Sequence, residues 1–141
     1  MATNGPIIIV EDDKDDQEIM AEVLALLNVP NQVKIFGDAL SAYDYLSTTN
    51  DRPFVIFSDV NLPVLNGIEF KRRIDTEPAL RRKSIPFVFL STAVSQSAVN
   101  EAYLEMTVQG FFQKPGSFAG VRDLVKKVLD YWNQCNHPNS E

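Results

Sequence analysis

The chain of 141 residues is long enough for one domain with its own core, and 45% apolar content fits neither a disordered nor a membrane protein. No apolar run approaches the ~20 residues of a membrane span, and Met1 to Pro6 lacks the basic end and apolar segment of a secretion signal, so a cytoplasmic protein is expected. A net charge of −6 argues against nucleic acid as a partner, and the single Cys135 excludes a disulfide framework or a paired-cysteine metal site.

Ile7-Ile8-Ile9-Val10, begun at Pro6, is too short for a helix and rich in β-branched residues, which predicts a strand buried on both faces. It ends in Glu11-Asp12-Asp13. A helix follows from about Lys14 to Asn28, with Ile19, Met20, Val23, Leu24, Leu26 and Leu27 inward, and Pro30 ends it. Val33 and Ile35 alternate with Gln32 and Lys34 before Phe36 and Gly37, which suits a second strand near a sheet edge. Asp38 or Ser41 caps the second helix, which carries Leu40, Tyr43 and Leu46, and the polar turn from Thr48 to Pro53 leads into a third strand.

That third strand, Phe54-Val55-Ile56-Phe57-Ser58, is apolar until it stops at Asp59, and such strand ends are where open α/β sheets place their chemistry. Asn61, Leu62-Pro63 and Asn66-Gly67 then force a tight loop before a helix with Ile68, Phe70 and Ile74, broken near Glu77 by Pro78. The fourth strand is Pro86 to Ser91. The fourth helix, Ser95 to Val108, places Val99, Ala102, Tyr103 and Met106 inward. It is the weakest of the helices, because Ser97, Asn100, Thr107 and β-branched Val99 are poor helix formers. Gly110 to Gln113 is a short fifth strand ending at Lys114-Pro115. The last helix, Ser117 to about Gln134, carries a continuous stripe of Val121, Leu124, Val125, Val128, Leu129 and Trp132. Residues 6–134 make one domain, with flexible termini at 1–5 and 135–141.

Five strands alternating with five helices imply parallel strands, right-handed crossovers and helices on both faces, a doubly wound α/β sheet. Parallel strands bring Glu11-Asp12, Asp59, Ser91-Thr92 and Lys114 to one edge. Carboxylates from two strands repel unless a hard cation lies between them, and oxygen ligands suit Mg2+, with Asp12 and Asp59 as its best ligands. A lysine and a hydroxyl across the same crevice would meet an anion on that cation, and a phosphoryl group fits. Each residue also has a mundane role: Asp13 as a helix cap, Ser91 or Thr92 as a cap in competition with Ser95, Lys114 as a surface lysine. Four strand ends each supplying a suitable group is a far rarer coincidence than any one of them.

Ile7 to Asp12, Asp59 with Leu62-Pro63 and Asn66-Gly67, Ser91 and Lys114-Pro115 together resemble the receiver domain of response regulators, of the CheY-like, stand-alone type, nearly from end to end. The resemblance implies a flavodoxin-like fold with strand order 2-1-3-4-5 and a two-component signalling function. Asp59 would be the phosphoacceptor. Asp12, Asp59 and the Asn61 backbone carbonyl would ligate Mg2+, with Glu11 acting through water. Lys114 and Ser91 would contact the phosphoryl oxygens, and Ser91 with Phe111 would form the switch that biases an output face of fourth helix, fifth strand and fifth helix. A sensor histidine kinase or phosphotransfer protein would be the donor and a further protein the target, so the chain is not an enzyme in the ordinary sense, although it assists its own phosphorylation and dephosphorylation. Ser91 and Phe111 stand where threonine and tyrosine are more frequent, Ala93 leaves the phosphoryl group less shielded, and Lys114-Pro115 permits the family's usual cis bond.

Lys71, Arg72, Arg73, Arg81, Arg82 and Lys83 read first as a solvated basic face and second as a dock for an acidic partner. Pro78 to Arg81 and Ile85-Pro86 also resemble single-domain receivers that serve phytochrome-like kinases. Two other functions compete. A phosphatase of haloacid-dehalogenase type shares the aspartate and Mg2+ but carries its nucleophile on the first strand, with a second acid where this chain has Asn61. A binding module that is never phosphorylated would have little use for Asp12, Asp59 and Lys114.

Overall fold

A computed structural model describes residues 5–92, 95–105 and 108–135. Ala93, Met106 and Thr107, named above, lie outside the described residues, as do Val94, 1–4 and 136–141. The elements run β1 (Ile7–Val10), α1 (Lys14–Leu26), β2 (Val33–Phe36), α2 (Ala39–Thr48), β3 (Val55–Ser58), α3 (Gly67–Thr76), α4 (Pro78–Arg81), β4 (Phe87–Ser91), α5 (Gln96–Glu105), β5 (Gly110–Gln113) and α6 (Phe118–Gln134). All strand pairs are parallel, in the order β2-β1-β3-β4-β5.

The β-branched runs fill both faces of the sheet. Ile8, Val10, Ile56, Phe87 and Phe89 face a layer built from α2, α3, α4 and α5, while Ile7, Ile9, Val55, Phe57, Val88 and Leu90 face α1 and α6. Strict alternation along β1, β3 and β4, with both sets buried, gives the two-sided core expected of a parallel sheet, while the edge strands β2 and β5 are only partly covered.

The helix count differs from the five expected. Pro78 ends α3 but also starts α4, because a proline at the first helical position loses no hydrogen bond. Glu77 caps it by accepting from the Ala79 amide at 3.2 Å, and Leu80 anchors it in the core. Three apolar positions also differ. Leu26, Leu40 and Tyr103 are exposed, and the inward contacts of α2 come from Ala39, Ala42 and Leu46. Small residues let a short helix lie close to the sheet, so the larger neighbour is the one left outside. On α5, Ala102 plays the same part.

The basic run divides: Arg73, Arg81 and Arg82 are exposed, as expected of a solvated face, whereas Lys71, Arg72 and Lys83 are engaged within the fold. Lys71 is buried, ion-paired to Asp75 at 2.7 Å, with its ammonium 5.2 Å from the Phe87 ring centroid. Arg72 bridges Glu69 on its own helix to Glu101 on α5. Lys83 donates to the carbonyls of Leu46 at 3.2 Å and Thr49 at 3.0 Å, closing the end of α2. These cations hold the α2, α3 and α5 layer together.

Candidate functional site

β1, β3, β4 and β5 end side by side, and each end carries part of the site. Glu11 follows β1 and is buried, and its backbone carbonyl is held by Gln17 Nε2 at 2.5 Å. One carboxylate oxygen accepts from the Asp13 amide at 3.2 Å and the other from Lys114 Nζ at 2.7 Å. Burial pushes the Glu11 carboxyl up to about 7 in spite of the lysine beside it. Asp13 is the N-cap of α1, accepting from the amides of Asp15 at 2.8 Å and Asp16 at 3.1 Å. Its carboxylate is thereby spent on the helix, while that of Asp12 is free to face the crevice.

Asp59 sits one residue past β3, buried, its amide bonded to the Val10 carbonyl at 3.0 Å, so the two acidic strand ends are fixed to each other through the backbone. The Asn61 amide donates to Asp59 Oδ1 at 3.2 Å. The loop is closed by Gly67 N–H to the Val60 carbonyl at 2.8 Å and Leu65 N–H to the Pro63 carbonyl at 2.7 Å. Between them Val64 has a φ of 66°, a left-handed conformation that a β-branched residue adopts only under constraint. Gly67 packs directly beneath Asp59: a Cβ there would overlap the Asp59 carbonyl oxygen and lie 2.9 Å from Val60 Cα.

Carboxylate oxygens of Glu11, Asp12 and Asp59 lie within 4.8 Å of one another. Three hard oxygen donors held together by backbone, two of them on buried residues, suit a divalent cation, and without one their charges oppose each other. Ser91 closes the floor, fully buried at the end of β4, with its Oγ 3.5 Å from Asn61 Nδ2. Ser95 accepts from the Ala98 amide at 3.2 Å and so caps α5, leaving Ser91 out of that role. The half-buried Phe111 ring lies against the α5 side of the sheet, 5.2 Å from Phe89, continuing a run of rings through Phe87 and Phe70.

Lys114 follows β5, with its amide bonded to the Ser91 carbonyl at 2.7 Å. Its ammonium also meets Asp16 Oδ2 at 2.9 Å. Burial alone would lower its pKa, but the Glu11 and Asp16 carboxylates outweigh this and the net shift is upward. No peptide bond among the described residues is cis, Lys114-Pro115 included. Asp16 is the site residue that sequence reasoning missed: nothing in its spacing links it to a lysine 98 positions away.

Known proteins share this fold. Response regulator Rcp1 of Synechocystis is 30% identical over 131 residues, covering 89% of this chain and 87% of that protein. The structure of its manganese-bound form aligns with a TM-score of 0.81 at 28% identity, over 94% of this chain and 96% of that one. The phosphorylated cyanobacterial phytochrome response regulator RcpA aligns with a TM-score of 0.82 at 30% identity, over 93% and 95% of the two chains. The receiver domain of the Pseudomonas aeruginosa sensor kinase PA1611, with magnesium coordinated in its active site cleft, aligns at 0.72 and 25% identity, over 92% and 97%. Residues 7–128 match the response regulator receiver domain family, a family of signalling domains, and the strand order and the clustered strand ends agree with that match. The chain therefore belongs to the response regulator receiver domains.

Proposed function

We propose that the chain is the phosphoacceptor of a two-component pathway, in which Asp59 takes a phosphoryl group from a phosphohistidine and the new charge resets the α5, β5 and α6 surface. The observation that carries this reading is the gathering of Glu11, Asp12 and Asp59 within 4.8 Å at the edge that also holds Lys114. The Asn61 amide occupies Asp59 Oδ1, which leaves Oδ2 to attack phosphorus. The O–P bond forms as the donor P–N bond breaks, and the departing imidazole keeps the electron pair. Asp12, Asp59 and the Asn61 carbonyl, with Glu11 through water, are the residues that would hold Mg2+, which supplies neutralising charge when bound. Lys114 and Ser91 would meet the phosphoryl oxygens once they are in place, and inward movement of Ser91 would open space for the Phe111 ring.

The donor is a sensor histidine kinase or a phosphotransfer protein in the cytoplasm. Similarity to Rcp1 and RcpA supports a phytochrome-linked kinase. The chain contributes to its own phosphorylation and dephosphorylation without being a dedicated enzyme. Placement of Asp59 after the third strand disfavours the phosphatase alternative.

Incubation with acetyl phosphate and Mg2+, read by intact mass, is expected to add one phosphoryl group to the wild type and none to Asp59→Asn. Label that persists in Asp59→Asn would place the acceptor elsewhere.

The acidic run can be separated by stability and binding. Asp13→Ala is expected to cost about 1 kcal/mol, the usual loss of an N-cap, while Mg2+ affinity stays near wild type. Asp12→Ala should do the reverse, keeping stability and losing about tenfold or more in Mg2+ affinity. Urea unfolding and calorimetric titration would show the pair, and equal losses of Mg2+ affinity would mean that both carboxylates face the crevice.

A further inference from the structure

We propose that Asp16 is a positioning residue: in the resting protein its carboxylate holds the Lys114 ammonium toward α1, and a phosphoryl group on Asp59 has to draw that ammonium away. The proposal rests on the phosphoacceptor reading above and assigns a second control point to the same site. Lys114 Nζ has two carboxylate partners, Glu11 at 2.7 Å and Asp16 at 2.9 Å. Glu11 belongs to the acidic cluster that suits a cation, and Asp16 does not. Once Glu11 is engaged by a cation, Asp16 is the competitor that remains.

The geometry makes that competition local. Asp16 stands in the first turn of α1, where its amide is fixed to Asp13 Oδ1 at 3.1 Å, so its carboxylate is carried on a capped, rigid turn. The Lys114 backbone is fixed to the Ser91 carbonyl at 2.7 Å, so only the lysine stem can move between acceptors. Its side chain is 10% exposed, and water is a poor substitute for a partner given up there. A contact made in one of two states and not the other shifts the equilibrium by its own strength. Since the Asp16 side chain is 28% exposed, the pair is partly screened and the shift is modest.

The experiment uses the full chain with Mg2+ and beryllium trifluoride as the phosphoryl mimic, and reads the concentration for half-saturation from amide NMR shifts of β5 and α5. Asp16→Asn is expected to lower that concentration about two- to fivefold, the range of a partly exposed ion pair. Asp16→Glu, which keeps the charge, should stay near wild type. In a Lys114→Met background the Asp16→Asn effect should vanish. If that background binds too weakly to titrate, the rate of acetyl phosphate labelling carries the same comparison. An unchanged or higher half-saturation in Asp16→Asn, or the same gain without the lysine, overturns the role given to Asp16. If the wild type neither binds beryllium trifluoride nor takes a phosphoryl group, the phosphoacceptor reading falls and this proposal falls with it.

Discussion

Gly67→Ala is expected to destabilise the protein by about 3 kcal/mol and to slow phosphoryl uptake by about a hundredfold. The added methyl would overlap the Asp59 carbonyl oxygen and press on Val60 Cα, and neither is the loose end of a side chain that could swing aside. Relief has to come from backbone. One route lifts α3 off the sheet, at the expense of Ile68, Phe70 and Ile74, which are buried beneath it. The other displaces Asp59 itself, whose amide is tied to Val10 and whose Oδ1 is tied to the Asn61 amide. Overpacking in a compliant core costs ~1–3 kcal/mol, and a backbone obstacle puts this site at the top of that range. Urea unfolding gives the first quantity, and acetyl phosphate labelling followed by mass gives the second. Stability within about 0.5 kcal/mol of wild type would show that the loop from Val60 to Gly67 yields easily, and the constraint argued from Val64 would fail with it.

The functional edge was legible in sequence because it depends on order more than on detail. A short β-branched run that stops at a carboxylate predicts both the strand and the place of the acid, and parallel pairing brings Asp12, Asp59, Ser91 and Lys114 together whatever the helices do. The partner of Lys114 was not legible. Asp15 and Asp16 look alike in sequence, and only the folded chain brings Asp16 to the Lys114 ammonium. Helix faces were legible where large side chains repeat, as on α6, where five of the stripe residues are buried and Leu124 packs against them. On α2 and α5 Leu46 and Ala102 are buried as expected, but Leu40 and Tyr103 remain outside while Ala39 and Ala42 join the core. Hydropathy weights size, whereas close approach to a sheet favours smallness, so the two disagree most on short helices.

Within the basic run Lys71 was misread for a different reason, and its correction yields the second large effect: Lys71→Met is expected to destabilise the protein by about 3 kcal/mol. Runs of Lys and Arg are usually solvated, but helical spacing turns successive members to different sides, and Lys71 is the member that α3 turns inward next to Phe70. Its side chain is 3% exposed and that of Asp75 10%, so the pair lies in a region where a lone carboxylate is poorly solvated. Burial lowers the lysine pKa, and Asp75 opposes that by holding the proton on Nζ at 2.7 Å. Methionine keeps the stem that lies against Phe87 and removes only the charge, which isolates the cost of leaving Asp75 without its lysine. Breaking one side of a buried pair typically costs ~3–5 kcal/mol, and the lower end applies because Asp75 retains some access to water. Lys71→Met with Asp75→Asn should recover at least half of the loss, since the carboxylate charge that the lysine faced is then gone. Denaturant unfolding of the two variants decides between this account and simple packing: a double variant no more stable than Lys71→Met alone would mean that the ammonium, and not the Asp75 carboxylate, accounts for the loss.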